Sequence, residues 1–449
     1  MNTPSVKEFR ANTSVSRRSQ LMHVVLLTDD YCAPSVTTRG TAINTWSIMS
    51  SLLRAGHRVT VVVISNSESE HFKEVAAAGA TVRTVPYGDL RPYAFRSRMR
   101  SAILRPQLAT FYPWVELARA VRALLEEIRP NALLAYTLYN LAATHGVTTY
   151  PRMAVLVDLD HVAAHYRWRD TSIRPLRQYL RATLRRIAHA NQPRFMAQLL
   201  ADCPAVVDFA AHHARWFRRH GVPNCIYIPP PTRDPVGSNW RELRDSFSGR
   251  EKFRILLIGH FAGIASISGL RSFITKILPR LEKELGADAF EVHAVGDYSK
   301  NPNLAAQLRA HSSVKLRGYV ENVDEEFLSA DVLLVPTPIN LGTRTRVIEG
   351  FSYGCCVVAH EANALGIPQM LHEKNALMAR DGVGLANAVI RAFSDNKLRA
   401  RLQSNARRTF EEHFSLDSAG ALLTAELERI AADSITGEIL ESPAARVLT

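Results

Sequence analysis

Short apolar runs that alternate with amphipathic stretches constrain the fold of this chain most. The runs "HVVLLTDDY" at 23–31 and "HRVTVVVI" at 57–64 predict buried strands, and "INTWSIMSSLLRAG" between them has apolar residues at helical spacing. The same order returns from "RILLIG" at 254 through "FEVHAVG", "VKLRGYV" and "DVLLVP" to "CCVVAH" at 355–360. Strands that alternate with helices build parallel sheets covered on both faces. The sequence therefore predicts an α/β fold.

A proline-rich stretch, "IPPPTRDPVGSNWRELRDSFSGREKF", separates the two series. We predict two doubly wound, Rossmann-like domains, which would face each other across a ligand cleft at the carboxyl ends of their strands. The predicted boundaries are a disordered tail at 1–20, a first domain at 21–232, a linker at 233–252, a second domain at 253–415, a C-terminal helix at 416–433 and a tail at 434–449.

Charge and composition limit the partners and the location of the protein. The 449 residues carry a formal charge of +13, which attracts anions such as nucleic acid, an acidic lipid surface or phosphorylated small molecules. No segment approaches the roughly 20 apolar residues of a membrane span, and the first residues lack the apolar core of a signal peptide. We therefore expect a cytoplasmic protein. The five cysteines and sixteen histidines have no metal or disulfide spacing, so neither a metal nor a cofactor is expected.

The segment "GTRTRVIEGFSYGCCVVAH" follows the apolar run "DVLLVP". A helix that begins near Thr343 would direct free backbone N–H groups into the cleft, and such a helix start binds anions. Arg344 and Arg346 fall in the first turn, where the helix dipole disfavours cations unless an anion offsets it. Glu349 shares a broad face with Arg346. The carboxylate of Glu349 could pair with that arginine, or it could accept hydrogen bonds from ligand hydroxyls. The sequence favours neither alternative.

The pattern G-x-R-x-R-x-x-E, from Gly342 to Glu349, and the small residues up to Gly354 resemble the nucleotide-sugar segment of the retaining GT-B glycosyltransferases of family four. The subgroup concerned is written G-x-K-x-K-x-x-E-A-x-A-x-G-x-P-V-V. The resemblance covers about 21 to 430. It implies an enzyme that moves a sugar from a nucleoside-diphosphate-sugar donor to an acceptor hydroxyl with retention. The first domain would bind the acceptor, and the second domain would bind the donor.

The resemblance also implies roles for the motif residues. Gly342 and Thr343 would belong to the donor-binding segment, Glu349 would bind the ribose hydroxyls, and Arg344 and Arg346 would stand as catalytic cations near the phosphates or the sugar.

Departures from the family pattern fall in and beside this motif. Leu341 stands where the first glutamate of the Glu-x7-Glu pattern is expected, so a carboxylate contact to the donor sugar is in doubt. Cys356 replaces the usual proline, and Gly350 replaces the usual alanine. The lysine that many members carry for the diphosphate is not apparent in "GHFAGIASISG".

Two glycine loops complete the predicted donor site. Gly259 and His260 end the first strand of the second half, although His260 is explained equally well as a polar strand end. In the first half, "TTRGTAINTW" stands where the family has a glycine loop. There Gly40 would allow close backbone approach to phosphate and Arg39 would supply charge, the alternative being an ordinary turn glycine.

The strand "MAVLVDLD" ends in acidic residues that would be aimed at the cleft. Asp158, Asp160 and His161 follow one another there, and we predict a catalytic or acceptor-orienting role for Asp160 and His161. Acids at a strand end also commonly cap the next helix, and that alternative stays open.

Two basic segments, at 96–106 and 174–195, alternate arginine with large apolar residues. Such helices bind anionic membrane surfaces, but simple solvated helix faces are nearly as common. Nucleic acid is not expected as a partner, since no recognition module is present. A basic first domain suits a polysaccharide or lipid-linked acceptor near the inner membrane face.

Two other functions remain open at this stage. A nucleotide-sugar epimerase with the GT-B fold would convert the sugar without releasing nucleotide. A degenerate, non-catalytic binding protein for an anionic polymer is made conceivable by Leu341. The donor sugar, the base, the acceptor and the oligomeric state do not follow from the sequence.

Overall fold

The computed structural model describes residues 21–29, 32, 40–65, 71–86, 114, 117–170, 176–190, 192–247, 249–261 and 263–436. Arg39, the basic segment at 96–106, the predicted tail at 1–20 and residues 437–449 lie outside the described part of the chain. Among the described helices, none combines the length and the apolarity that crossing a bilayer requires.

The first domain contains a parallel sheet in the order β3-β2-β1-β4-β5-β6-β7. Its strands are β1 (His23–Thr28), β2 (Arg58–Ile64), β3 (Thr81–Val85), β4 (Ala132–Tyr136), β5 (Arg152–Leu156), β6 (Ala205–Asp208) and β7 (Cys225–Tyr227). Its helices are α1 (Gly40–Arg54), α2 (Phe72–Ala77), α3 (Ala118–Ile128), α4 (Leu138–Ala142), α5 (Asp160–Asp170), α6 (Leu176–Ala190), α7 (Gln192–Leu200) and α8 (Ala211–Arg219).

The second domain repeats this design with a parallel sheet in the order β10-β9-β8-β11-β12-β13. Its strands are β8 (Phe253–Ile258), β9 (Phe290–Val295), β10 (Val314–Gly318), β11 (Val332–Val335), β12 (Cys356–His360) and β13 (Ala376–Ala379). The remaining helices are α9 (Trp240–Asp245), α10 (Ile264–Ser272), α11 (Leu278–Leu285), α12 (Pro302–Arg309), α13 (Asp324–Ser329), α14 (Thr345–Ser352), α15 (Gly382–Ser394), α16 (Asn396–His413) and α17 (Ala421–Thr436). Single π-helical turns at Phe273–Ile277 and Leu416–Gly420 precede α11 and α17, and 3-10 turns lie at Gly237–Asn239 and Glu361–Leu365.

The predicted α/β fold with two Rossmann-like domains is confirmed. Strands such as β4, β5 and β12 are buried along nearly their whole length, because helices cover both faces of each sheet. In each sheet the strand order reverses, between β1 and β4 and between β8 and β11. Such a reversal opens a crevice at the carboxyl ends of the strands, and the two crevices face each other.

The chain crosses between the domains twice at one place. The backbone N–H of Thr232 donates to the carbonyl of Phe414 at 2.7 Å where the outgoing and returning segments meet. Residues 233–252, predicted as a linker, include helix α9 and pack on the second domain. Arg244 of that helix donates to the carbonyls of Phe327 at 3.0 Å and Ala330 at 2.5 Å. These tertiary hydrogen bonds hold a segment whose composition alone suggests an exposed connection.

The last helix, α17, returns to the first domain. Its residues Leu423, Leu427 and Ile430 are buried in the same apolar cluster as Ile48 and Leu52 of α1. Burying each of these side chains contributes roughly 1.5 to 3 kcal/mol. The first domain is therefore completed by the end of the chain, and the two crossings tie the domains together.

Candidate active site

A cleft of about 830 Å³ opens between the carboxyl ends of the two sheets. The first domain contributes the start of α1, the last residue of β4 and the residues after β5 and β6, with lining residues Gly40, Thr41, Asn44, Tyr136, Val157, Asp158 and Phe209. The second domain contributes the loops after β8, β9 and β10 and the start of α14, with lining residues His260, Asp297, Lys300, Tyr319, Thr343 and Thr345. Of the predicted donor-binding residues, Gly40, His260 and Thr343 therefore face one common space.

The start of α1 forms one wall of the cleft. Gly40 and Thr41 lie in the first turn of α1 and line the cleft. Among the described residues, no atom lies within 4 Å of the position that a Cβ of Gly40 would occupy. One turn later, Asn44 donates a hydrogen bond of 2.9 Å to the hydroxyl of Tyr136, which fixes both side chains at the cleft.

Adjacent histidines of α8 hold the loop that precedes α14. The ring Nε2 of His212 lies 3.2 Å from the carbonyl oxygen of Asn340. His213 accepts the backbone N–H of Gly342 at Nε2, at 3.3 Å, and donates from Nδ1 to the carbonyl of Val157 at 3.1 Å. Both contacts of His213 require the neutral ring, and burial lowers the pKa of His213 to about 3. The first domain thus holds the motif loop of the second domain in one position.

Leu341 takes part in the same contact between the domains. Its side chain is only 6% exposed and packs in an apolar cluster with Ile339 and with Ala163 of α5. Tyr166 of α5 adds a hydrogen bond of 2.7 Å to the side-chain oxygen of Asn340. A carboxylate in place of Leu341 would meet this apolar surface, and an unpaired buried charge is costly. The departure from the family pattern therefore has a packing reason.

Asp158 lies directly opposite the motif loop. Gly342 has a φ of +63°, and a Cβ built on it would lie 2.1 Å from Oδ1 of Asp158, so a side chain at this position would collide with that carboxyl. The Asp158 side chain faces the cleft and is exposed to solvent there. Desolvation by the surrounding protein raises the pKa of the Asp158 carboxyl, and the charge of Arg344 opposes the shift.

Asp160 and His161 are not among the described residues that line the cleft. Asp160 accepts a hydrogen bond of 2.5 Å from the hydroxyl of Tyr139, and it lies in the first turn of α5. The ring of His161 packs against Trp216 with centroids 4.9 Å apart, and burial lowers its pKa to about 4. Their catalytic role stays a prediction. The backbone path after β5 brings the neighbouring Asp158 to the cleft instead, and the sequence alone does not reveal which acid of the cluster faces it.

Arg346 points from α14 to the end of the first strand of the second sheet. Its Nη1 donates to the carbonyl of Ile258 at 2.7 Å, and its Nη2 donates to the hydroxyl of Ser266 at 3.0 Å. A Cβ on Gly259 would lie 2.4 Å from Nη1, so this glycine makes room for the guanidinium. Burial lowers the pKa of Arg346 to about 10, which leaves it charged at neutral pH.

Arg344 stands immediately before α14 and donates from Nη2 to the carbonyl of Ile339 at 3.0 Å. Burial lowers its pKa, and the charge of Asp158 acts in the opposite direction. Its buried Nε atom has no hydrogen-bond partner among the described residues. Backbone carbonyls therefore offset the cost of placing both arginines at a helix start, and the predicted contact of Arg344 and Arg346 with a ligand remains a prediction.

Glu349 lies one turn further along α14. Within the described part of the chain its carboxylate makes no hydrogen bond, although the charge of the nearby Arg346 lowers its pKa somewhat. Burial is the larger effect and raises the pKa of Glu349. Because the Glu349 side chain is only half-buried, water or a ligand hydroxyl can donate to its carboxylate.

The loop after β9 adds two cleft residues that the sequence reasoning missed, Asp297 and Lys300. Asp297 accepts the backbone N–H of Ser299 at 2.8 Å, and hydrogen bonds from Ser299 lower its pKa. The exposed Lys300 brings a cation to the cleft. The family pattern places the diphosphate lysine after β8, whereas the sheet order sets β9 beside β8 and brings the ends of both strands together.

Comparison with solved structures gives the architecture. HepE from Anabaena, in complex with UDP and glucose, is 13% identical with a TM-score of 0.62, over 90% of this chain and 99% of HepE. Sucrose-phosphate synthase from Thermosynechococcus elongatus is also 13% identical, with a TM-score of 0.65 over 91% of this chain and 99% of that protein. A mutant of TarM from S. aureus, in complex with Fondaparinux, alpha-GlcNAc-glycerol and UDP, is 9% identical with a TM-score of 0.61, over 91% of this chain and 100% of TarM.

These likenesses and the facing crevices define the fold as GT-B. Residues 252–395 match the family "Glycosyl transferases group 1". The match covers most of the second domain, and together with the fold it supports a transferase enzyme. No curated protein matches the chain in sequence.

Proposed function

We propose that the protein transfers a sugar from a nucleoside-diphosphate-sugar to an acceptor hydroxyl. The observation that carries this proposal is the convergence of two helix starts on one cleft, with Gly40 and Thr41 from the first domain and Thr343 and Thr345 from the second. Helix starts bind phosphate because their backbone N–H groups and the positive end of the helix dipole point toward it. Lys300 supplies a cation in the same space. The UDP bound to HepE and to TarM supports a nucleotide-sugar donor.

The leaving diphosphate gains negative charge as the glycosidic bond breaks. Fixed dipoles and cations placed where charge develops supply most of the catalytic effect in sites of this kind. We propose that Lys300, the start of α14 and the guanidinium of Arg344 serve this purpose without a metal ion. Retention by front-face attack, assisted by the departing phosphate, is the outcome that the resemblance to family four implies, and it requires no protein nucleophile.

Asp158 is proposed to supply the carboxylate that the family pattern places at Leu341. Its Oδ1 lies against Gly342, the residue that follows Leu341 in the chain. Leu341 itself packs in an apolar cluster and cannot supply a carboxylate. A carboxylate there would orient a sugar hydroxyl and stabilise positive charge at the anomeric carbon. Asp158→Asn should lower kcat about 100-fold and leave nucleoside-diphosphate binding unchanged. Asp160→Asn is the matched control, because Asp160 is bound to Tyr139 outside the cleft. A larger loss in Asp160→Asn would assign the role to Asp160, as the sequence predicts.

A screen of nucleotide-sugars tests the function itself. The purified protein is incubated with each donor, with and without acceptor mixtures, and release of nucleoside diphosphate is measured. Acceptor-dependent release together with a product of retained anomeric configuration supports the proposal. Formation of an epimer without nucleotide release would establish an isomerase. Absence of nucleoside-diphosphate binding at millimolar concentration would indicate a non-catalytic binding protein.

The acceptor is proposed to be a saccharide or a lipid-linked sugar of cell-surface polysaccharide or glycolipid synthesis. We place the protein in the cytoplasm, at the inner face of the membrane. The basic character of the first domain supports this location, because cations attract an anionic membrane surface.

A further inference from the structure

Helix α6 exposes a continuous apolar stripe. Four large aliphatic side chains of this helix are open to solvent, Leu176 by 72%, Leu180 by 52%, Leu184 by 67% and Ile187 by 64%. At about 100° of rotation per residue they fall within an arc of about 80°. Within the described part of the chain, no other helix exposes more than one large apolar side chain to this extent. A helix with a merely solvated face does not carry such a stripe.

Arginines flank this stripe. Residues 171–201 contain six arginines and no acidic residue. Of these, Arg177 and Arg181 lie along one border of the stripe and Arg186 along the other, and all three are exposed. An apolar stripe bordered by cations matches the interface of a bilayer whose headgroups are anionic. A second copy of the same helix fits less well, because its arginines would meet those of the first without any carboxylate to pair with them.

The helix packs on α5, which lies next to the cleft. Trp168 of α5 donates a hydrogen bond of 3.1 Å to the hydroxyl of Thr183, and the guanidinium of Arg186 lies 4.2 Å from the centre of the Trp168 ring. Helix α5 begins two residues after Asp158, and its Tyr166 contacts the motif loop. One packed helix therefore separates the stripe from the cleft, a distance on the order of 10 to 20 Å.

We propose that α6 is the membrane-docking element, that it inserts its apolar stripe among anionic headgroups, and that it thereby brings the cleft to a lipid-linked acceptor. The part that concerns the acceptor rests on the proposed function, whereas docking itself does not. Binding should require anionic lipid and should weaken as salt screens the arginines. It should also require the leucines, since headgroup attraction without insertion gives weak association.

Co-sedimentation with vesicles of phosphatidylcholine, with and without phosphatidylglycerol, tests docking on the full chain. The wild type should bind only the anionic vesicles. Leu180→Ala combined with Leu184→Ala should weaken binding at least about tenfold, because small side chains remove most of the inserted apolar surface. Arg177→Ala combined with Arg181→Ala should weaken it by a similar factor and reduce its salt dependence. The matched controls are Leu422→Ala, at a position 56% exposed on α17, and Arg309→Ala at the end of α12.

Absence of binding to anionic vesicles, equal binding to neutral vesicles, or an equal loss in the control variants would each overturn the proposal. Light scattering tests whether a second copy of the chain binds the stripe instead of a membrane. A wild-type dimer that the leucine variants convert to monomers, without vesicle binding, would assign the stripe to self-association and overturn the proposal. Nucleoside-diphosphate binding, measured separately on each variant, should stay at the wild-type level. Failure of docking can therefore be told apart from failure of the proposed catalytic function.

Discussion

Replacing Glu349 by glutamine separates a ligand-binding carboxylate from a structural one. The carboxylate has no hydrogen bond among the described residues, and burial raises its pKa. A raised folded-state pKa means that ionisation of Glu349 costs stability, and the cost grows as pH rises above the unfolded value until the folded pKa is passed. The neutral, nearly isosteric glutamine should therefore leave the melting temperature at pH 7 unchanged or raise it.

The same substitution should weaken donor binding. A hydrogen bond between a carboxylate and a ribose hydroxyl contributes about 1.5 to 3 kcal/mol, so its loss raises Kd roughly 10- to 100-fold. Isothermal titration with UDP, GDP and ADP measures this change, and differential scanning calorimetry measures the stability. Glu361→Gln is the control, because Glu361 pairs with Arg380 on the surface. A destabilised Glu349→Gln variant that binds nucleotide like the wild type would refute the reasoning.

Other parts of the site give further expectations. Arg346→Lys should lower the melting temperature and reduce kcat about 100-fold, because a lysine cannot donate to both the Ile258 carbonyl and the Ser266 hydroxyl. Wild-type kinetics in this variant would remove Arg346 from the catalytic site. Gly342→Ala should cost about 1 to 2 kcal/mol for its positive φ and more for the overlap with Asp158, measured by urea unfolding, and a stability equal to that of the wild type would contradict the close approach. The pKa of His213 is about 3 in the folded state and 6.5 in the unfolded state. The neutral ring should therefore contribute its full share of the free energy of unfolding above pH 6.5, and that contribution should be lost as the pH falls from 6.5 toward 3. His213→Gln should flatten that slope in pH-dependent urea unfolding, and an unchanged slope would assign it to other groups.

Most strands of the two sheets follow from the sequence because each is a short apolar run between polar turns. The strands that the sequence reasoning did not identify are β6, β7 and β13, of three or four residues each. Such short runs carry too little periodicity to stand out, and neighbouring strands already in place stabilise them. The return of α17 to the first domain also escapes a linear reading, because nothing local specifies which core receives Leu423 and Leu427.

The sequence reveals a local motif more readily than a place where distant segments meet. Thr343 of the local motif lines the cleft, and Gly342 lies against the cleft residue Asp158, while the donor-binding roles of both stay predictions. Lys300 was not expected, because its place depends on the neighbourhood of β8 and β9 in the sheet. Asp158 was recognised as part of an acidic cluster, but its contact with Gly342 exists only once the two domains meet.

The sequence by itself determined the two α/β domains and the cleft between them, and it predicts an anion-binding helix start after "DVLLVP". These follow from periodicity and from the chemistry of a helix start, which act over a few residues. Tertiary structure alone decided that Leu341 is a packing residue, that Arg346 binds the end of β8 and that Asp158 faces the cleft. Each of these depends on segments more than 80 residues apart, whose approach is set by the burial of apolar surface between whole helices and sheets.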